Sequence, residues 1–464
     1  MQKYDVVVLG AGPGGYVSAI RAAQLGASVA IVEKQYYGGT CLNVGCIPTK
    51  ALVRNAEIIR DIQAGKSRGI KIDGELVLDY KKGKKAKDKA CRQLVNGVVG
   101  LLAANGVKSY DGLGRVKSGK IVAVEGENGV EEIGYDKLII ATGSAPKKLP
   151  FEGIDLPGVL TSTELLELEE APKRMVIVGG GVIGCEFATV FAAYGTELTI
   201  VEMLPAIMAN QDEEVSAYMK DVLSNDVNIL TGTGLEKIEE KDGALNVVAK
   251  DADGKEVNIP CDNVLISIGR QTNLAGTEEL GLEMEKQFIK VDDECRTSDV
   301  DVFAIGDVTG KIQLAHVAME MGTIAAENAM GAHRNLDLSV CPSCIYTLPE
   351  VSSVGLTEKA AREAGYDVAI GKFPLLGNGK ATATGVGDGF FKIVVDAETK
   401  KILGAHLVGH TATEIIAEMA AYMKMGATAD DVIGTIHSHP TISESIAEAA
   451  RDVYGQTIHM PPKK

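Results

Sequence analysis

The sequence predicts an α/β chain: two doubly wound nucleotide-binding domains followed by a separate C-terminal α+β domain. Three observations carry this expectation. A glycine-rich turn between an apolar run and a helical pattern occurs twice, beginning at Gly10 and at Gly179. Each copy is followed much later by another apolar run ending in glycine, at Gly143 and at Gly269. From Cys341 onward, strand-like runs replace the alternation of strand, turn and helix. A chain of 464 residues also exceeds what one hydrophobic core usually organises.

In the first copy, Asp5-Val6-Val7-Val8-Leu9 reads as a buried strand and Gly10-Ala11-Gly12-Pro13-Gly14-Gly15 as a turn. Residues 16–25 follow as a helix closed by Gly26, then 27–32 as a strand. The second copy repeats this order. Met175-Val176-Ile177-Val178 leads into Gly179-Gly180-Gly181-Val182-Ile183-Gly184, a helix to Tyr194 closed by Gly195, and a strand over 197–201. The later strands are Leu138-Ile139-Ile140-Ala141-Thr142-Gly143 and Val264-Leu265-Ile266-Ser267-Ile268-Gly269, so each copy spans a Rossmann-like domain. After Val291 come a strand, Val302-Phe303-Ala304-Ile305-Gly306-Asp307, and a helix over about 316–330. The C-terminal part shows strand-like alternation at 392–395 and 402–408, then two helical segments. The basic run 81–89 is expected to be a solvated helix face.

Lys and Arg number 47 against 63 Asp and Glu, and the net charge of −16 disfavours phosphate backbones and anionic membranes. Neither nucleic acid nor a membrane is an expected partner. Met1-Gln2-Lys3-Tyr4 runs straight into Val6-Val7-Val8-Leu9, without the ordered regions of an export signal. The apolar stretch 175–195 contains Glu186 and the second glycine turn, which a buried strand and helix explain better than a span. Eight irregularly spaced cysteines do not make a secreted disulfide scaffold. A reducing cytoplasm is the expected compartment, where a disulfide that does form is more often catalytic than structural.

One such glycine turn would be a weak signal, but each copy follows a strand, opens a helix and is followed by an acid. Glu33 lies 18 residues after Gly15, and Glu202 lies 18 after Gly184. The glycines allow close backbone approach to a pyrophosphate, the helix N-terminus attracts its charge, and the acid accepts hydrogen bonds from ribose hydroxyls. A carboxylate at 202 would repel a 2′-phosphate, and Met203-Leu204 supplies no arginine to offset it. NAD is therefore expected rather than NADP.

Between the two fingerprints lies Gly38-Gly39-Thr40-Cys41-Leu42-Asn43-Val44-Gly45-Cys46-Ile47-Pro48-Thr49-Lys50. Cysteines five apart in a regular helix would be separated by about 7.5 Å of rise, too far for an unstrained disulfide. At least one must leave ideal helical geometry, and a bridge between them should be reducible, as a redox centre requires.

This segment resembles the redox-disulfide signature of the pyridine nucleotide-disulfide reductases, and the resemblance covers essentially the whole chain. It implies FAD at the first fingerprint, through Gly10, Gly12, Gly15 and Glu33, with Thr40, Lys50, Thr142, Gly143, Asp307 and His316 completing the site. It implies NAD at the second, through Gly179, Gly181, Gly184, Glu202 and Gly269. Asp307 would hold the ribityl chain, and the helix opening near His316 would aim its N-terminal dipole at the pyrimidine edge of the flavin. Cys46 would be the sulfur nearest the flavin and Cys41 the interchange thiol, with Lys50 near flavin N5 and paired with Glu186. A cation there suits a flavin that gains negative charge on reduction.

His437-Ser438-His439-Pro440-Thr441-Ile442-Ser443-Glu444 resembles the catalytic base motif of the same family. His439 would take the proton of a substrate dithiol, Glu444 would orient the ring, and His437 would support them. No further ligand near His437 and His439 suggests a metal. Cys341-Pro342-Ser343-Cys344 lacks a thioredoxin-like context, so strand or loop thiols at a domain entrance are expected, with a labile accessory disulfide as the alternative. Cys91, Cys185, Cys261 and Cys295 are expected to be small buried side chains without redox duty.

The resemblance implies an NAD-dependent oxidation of protein-bound dihydrolipoyl groups through the Cys41–Cys46 disulfide. It also implies a homodimer whose sites each take His439 and Glu444 from the other subunit. The implied partners are the lipoyl domains and acyltransferase core of a 2-oxo acid dehydrogenase complex, or the lipoyl protein of a glycine cleavage system. The expected division is 1–146 and 272–338 for the FAD-binding parts, 147–271 for the NAD-binding domain and 339–464 for the dimerisation domain. Glutathione reduction is the nearest alternative, opposed by Glu202 and by Pro48-Thr49-Lys50; mercuric reduction is opposed by the lack of cysteines after Cys344. A non-catalytic scaffold that retains FAD is the alternative of another class.

Overall fold

The computed structural model describes residues 1–462. Its first sheet is built on four parallel strands in the spatial order Lys108–Asp111, Val29–Glu33, Gln2–Leu9 and Gly129–Ile140, and Val302–Ala304 adds in parallel to the last. Residues 6–8 are fully buried, as a strand covered on both faces should be. The second sheet repeats the plan: Val227–Thr231, Glu197–Glu202, Arg174–Val178 and Asn263–Ile266, again all parallel, with Val159–Leu160 at the edge. In each unit an antiparallel meander precedes the last parallel strand, so the internal repeat extends beyond the fingerprints. The chain enters the second unit through Ser144–Pro146 and leaves it through Arg270–Thr272, and these two strands pair with each other.

The first fingerprint helix runs Pro13–Gln24, starting three residues earlier than the apolar pattern suggested, because proline suits the first helical position. It packs closely on the helix Ala315–Ala329. A Cβ on Gly322 would lie 2.5 Å from the Gly14 carbonyl oxygen, and one on Gly14 would lie 2.7 Å from that of Ala318. This close crossing brings the N-terminus of the later helix to the first glycine turn.

The C-terminal sheet is antiparallel, in the order Ser343–Ile345, Glu350–Gly355, Ile402–Gly409, Phe390–Asp396 and Val368–Pro374. The alternation read at 392–395 is real, but both faces are covered. Phe391, Ile393 and Val395 pack beneath the helices Ala412–Lys424 and Glu444–Asp452. On the other face Phe390 meets Tyr218 edge to face at 5.5 Å, and Lys392 pairs at 3.0 Å with Asp212, which caps the helix Glu213–Leu223 of the second unit. Both charged side chains are almost fully buried, so the pair joins two packed units rather than facing water.

Two expectations are corrected. Among the described residues three helices, not two, follow the last strand, because Ala429–Gly434 is a further short helix. Six residues show no readable periodicity; Thr428 and Asp431 close that helix with a capping box. The basic run lies in the helix Tyr80–Ala104, but it is not a solvated face throughout, since Lys84 and Lys87 are buried. Lys87 donates to the Leu166 carbonyl at 3.0 Å and pairs with Asp88, while Lys84 pairs with Glu167 at 3.2 Å. Acidic partners in a distant loop make that burial tolerable. No helix among the described residues is long and apolar enough to cross a membrane.

Candidate active site

The two glycine turns superpose in their chemistry. Gly10 and Gly179 have φ of +97° and +107°, and a Cβ on either would lie 2.5 or 2.6 Å from a carbonyl oxygen of the adjacent strand end. A Cβ on Gly15 or Gly184 would lie 1.9 or 2.1 Å from the carbonyl oxygen of the turn's own first glycine. These four glycines are therefore required by the fold. The middle ones are not: a Cβ on Gly12 comes no nearer than 3.9 Å to the rest of the chain, and one on Gly181 meets nothing within 4 Å. Bare backbone facing open space at a helix N-terminus fits a bound pyrophosphate in both places.

The acids repeat as well. Glu33 accepts from the Ala11 N–H at 2.7 Å and the Gln35 N–H at 2.8 Å, and Glu202 accepts from the Gly180 N–H at 2.6 Å and the Leu204 N–H at 2.7 Å. Each carboxylate is thus anchored to the second residue of its turn, at the end of the strand where a ribose would lie.

Cys41 sits in the short helix Gly39–Asn43 and Cys46 opens the helix Cys46–Ala64, so the break at Val44-Gly45 supplies the required departure from a continuous helix. The Thr40 carbonyl accepts from the Val44 N–H at 2.9 Å within this break. Both cysteines are thiols here. Hydrogen bonding from Cys41 lowers Cys46 to about 7 against the opposing effect of burial, and the Lys50 cation adds to the lowering. Cys41 is pushed far up by its bond to Cys46, then by burial. Of the two thiols, Cys46 is therefore the one that ionises first.

Lys50 Nζ lies 2.9 and 3.0 Å from the two carboxylate oxygens of Glu186, a buried residue on the helix Val182–Ala193. Two helices of different units thus meet at this ion pair. On the adjacent side, the Thr142 hydroxyl donates to the Asn273 carbonyl at 2.6 Å, and the Gly143 carbonyl accepts from the Asn273 N–H at 3.0 Å. Gly269, with φ of +107°, accepts from the Lys147 N–H at 3.0 Å where the chain leaves the second unit. Asp307 accepts from the Ser144 hydroxyl and lies 3.7 Å from the Arg270 guanidinium. His316 Nε2 lies 2.9 Å from the Pro342 carbonyl oxygen, and the residue stands in the first turn of the helix Ala315–Ala329.

His439 Nδ1 lies 2.9 Å from Glu444 Oε1, and the other Glu444 oxygen accepts from the Thr441 N–H at 2.8 Å. Burial raises Glu444, but the Thr441 N–H and His439 more than offset it, and its carboxyl stays below the ordinary range. His437 is held instead by Glu418 at 2.8 Å. The His439 ring is 77 % exposed and opens on a cavity of about 310 Å³ lined by residues between Phe373 and His459. The described cysteines 41 and 46 are not among its walls.

Three residues next to these groups carried no sequence signal: Tyr346, Arg270 and Ser144. Tyr346 donates its N–H to Glu186 and Arg270 donates to Ser144, contacts between residues more than a hundred positions apart. Cys341 and Cys344 face different clusters. Cys341 lies 3.7 Å from His316, and Cys344 lies against the Thr413 carbonyl, pushed up to about 11 by burial. Cys91, Cys185, Cys261 and Cys295 are buried thiols.

The description "Pyridine nucleotide-disulphide oxidoreductase" matches residues 4–322, and that family's dimerisation domain matches 341–450. The chain belongs to this family. It is 41 % identical to the dihydrolipoyl dehydrogenase of Bacillus subtilis over 98 % of this chain and 99 % of that one, and 42 % identical to that of Thermus scotoductus over 99 % of each. Among solved structures it is similar to the HOCl-induced flavoprotein disulfide reductase RclA of Escherichia coli in its Cu(II) complex, with TM-score 0.88 and 30 % identity over 97 % of this chain and 99 % of that one. FAD and NAD are the cofactors of this family, and the open middle glycines fit one dinucleotide in each unit.

Proposed function

We propose that the chain is a dihydrolipoyl dehydrogenase acting on lipoyl groups carried by another protein, with each active site shared across a homodimer. The observation that carries the chemistry is the pair of unlike thiols: Cys46 is lowered to about 7 and Cys41 is raised, beside the Lys50–Glu186 ion pair. In the oxidised enzyme Cys41 and Cys46 form a disulfide. His439 of one subunit takes a proton from the substrate dithiol, and the resulting thiolate attacks Cys41 of the other. The Cys41–Cys46 bond breaks, Cys46 leaves as the stabilised thiolate, and a mixed disulfide joins Cys41 to the substrate. The second substrate thiol displaces Cys41, releasing the cyclic disulfide and leaving Cys41 protonated. Two electrons now reside on the cysteine pair, and FAD with NAD supplies the route by which they leave as NADH.

Gly10, Gly12, Gly15, Glu33 and Asp307 would hold FAD, and Gly179, Gly181, Gly184 and Glu202 would hold NAD. The shared site is supported by the His439 cavity, whose walls include neither Cys41 nor Cys46, and by Ile436 in its wall and Leu376 next to its wall residue Gly377, large apolar side chains left exposed. The partners are the lipoyl domains of a 2-oxo acid dehydrogenase complex or a lipoyl protein of glycine cleavage.

Steady-state rates with dihydrolipoamide and with reduced glutathione, each with NAD and NADP, test the proposal. Dihydrolipoamide with NAD should exceed every other combination by about a hundredfold or more, since both carrier and cofactor are discriminated. Comparable rates with glutathione and NADP would overturn it.

The two kinds of fingerprint glycine should also respond differently. Gly181→Ala places its methyl in open space within the chain, so stability should change by about 1 kcal/mol or less while KM for NAD rises about tenfold. Gly184→Ala drives a methyl into a backbone carbonyl and should cost about 2 to 3 kcal/mol of stability. Thermal unfolding and NAD kinetics separate the two, and equal stability losses would show that the middle glycine also serves the fold.

A further inference from the structure

Lys50 and Glu186 have a third neighbour, and it comes from the C-terminal domain. The Tyr346 backbone N–H donates to Glu186 Oε1 at 2.9 Å, while the Lys50 ammonium lies 4.5 Å from the centroid of the Tyr346 ring. One residue thus touches both members of the ion pair, through two different groups. Its phenol faces Thr413 and is pushed up to about 12, chiefly by burial, so the ring remains neutral and electron-rich at any working pH. Tyr346 directly follows the strand Ser343–Ile345, whose partner strand Glu350–Gly355 is anchored through Glu350 to the N-terminus of the helix Ala412–Lys424. The ring is therefore held by the C-terminal sheet rather than by the helix that carries Lys50.

We propose that Tyr346 is a positioning residue for the dithiol reaction: its ring and its backbone N–H hold the Lys50 ammonium and the Glu186 carboxylate in the arrangement in which they face Cys46. A cation over an aromatic face is attracted by the ring quadrupole, most strongly where water is partly excluded, as it is here. Without the ring, the lysine side chain regains rotamer freedom and its mean position moves away from the sulfur. The charged and titratable groups facing Cys46 are Cys41 from the preceding short helix, Lys50 from its own helix, Glu186 from the helix of the second unit and Arg270 from the connecting strand. Tyr346 contacts two of these four.

The inference rests on the reading that a flavin lies beside Cys46, which gives the measurement its signal. In dithiol-reduced holoenzyme, a thiolate beside flavin produces long-wavelength absorbance that disappears as the thiolate is protonated. Its pH midpoint in Tyr346→Leu should move upward by about half a unit or more relative to the unsubstituted chain. Tyr346→Phe keeps the ring and should restore the original midpoint to within a few tenths of a unit. Pentafluorophenylalanine at the same position keeps the shape while reversing the quadrupole, and it should behave like leucine. An unshifted midpoint in the fluorinated variant would overturn the proposal, and that variant decides if Tyr346→Leu fails to fold. Absence of the band in the unsubstituted holoenzyme would instead defeat the reading of Cys46 as the flavin-proximal thiol.

Discussion

Replacing Cys41 by serine should abolish dithiol turnover, lowering kcat by about a thousandfold or more, while FAD stays bound. A hydroxyl cannot form the mixed disulfide through which electrons enter, so the loss falls on chemistry rather than on substrate affinity. The first fingerprint, proposed to hold FAD, is built from Gly10, Gly12, Gly15 and Glu33, none of which relies on the Cys41 sulfur for its geometry. Serine also keeps a donor where the Cys41 thiol bonds to Cys46, the largest influence lowering Cys46. The Cys46 thiolate should therefore persist to near neutral pH in Cys41→Ser. In Cys41→Ala that donor is gone, and the thiolate should form only at higher pH. Dihydrolipoamide turnover and the pH dependence of the long-wavelength band measure both effects. Turnover of Cys41→Ser within tenfold of the unsubstituted chain would remove Cys41 from the mechanism.

Mixing two inactive chains should restore activity. The redox pair lies with Lys50 and Glu186, whereas His439 and Glu444 open on a cavity walled by C-terminal residues, so the proposed site joins halves from two subunits. If Cys41→Ser and His439→Gln chains are refolded together in equal amounts, about half the dimers combine one of each. Every such dimer holds one site with both residues intact and one site with both lesions. Activity should recover to about a quarter of that of the unsubstituted dimer. A site built within one chain would carry a lesion in every case and recover nothing. Differential tags verify that mixed dimers formed, and no recovery in their presence would reject the shared site.

The parts of the site that were legible in the sequence are those whose geometry is local. Both glycine turns could be read because strand, turn, helix and acid follow one another within about thirty residues, and their backbone demands leave a spacing in the sequence. The cysteine pair and the His439–Glu444 pair each lie within six consecutive positions. The Lys50–Glu186 contact came through family resemblance, because 136 residues separate the two and nothing in their spacing joins them. Tyr346 and Arg270 were passed over for the same reason, since an aromatic residue just after a short strand and an arginine after a glycine are ordinary in sequence.

Burial of charge was the other point at which pattern misled. Lys84 and Lys87 lie in a run that reads as a solvated face, and Lys392 opens a strand-like run, yet all three are buried. The structure covers each with a segment remote in sequence that supplies Glu167 and Asp212 as partners.

By itself, then, the sequence determined the two nucleotide-binding repeats and the break in helical geometry between Cys41 and Cys46, because short-range spacing dictates backbone conformation, while the roles of the two cysteines and of the histidine-carboxylate pair came through the family resemblance. Only the tertiary structure decided which thiol is lowered, which aromatic ring faces Lys50 and which lysines are enclosed. Each of these depends on the field and packing of groups brought together across tens to hundreds of residues, and local spacing carries no record of them.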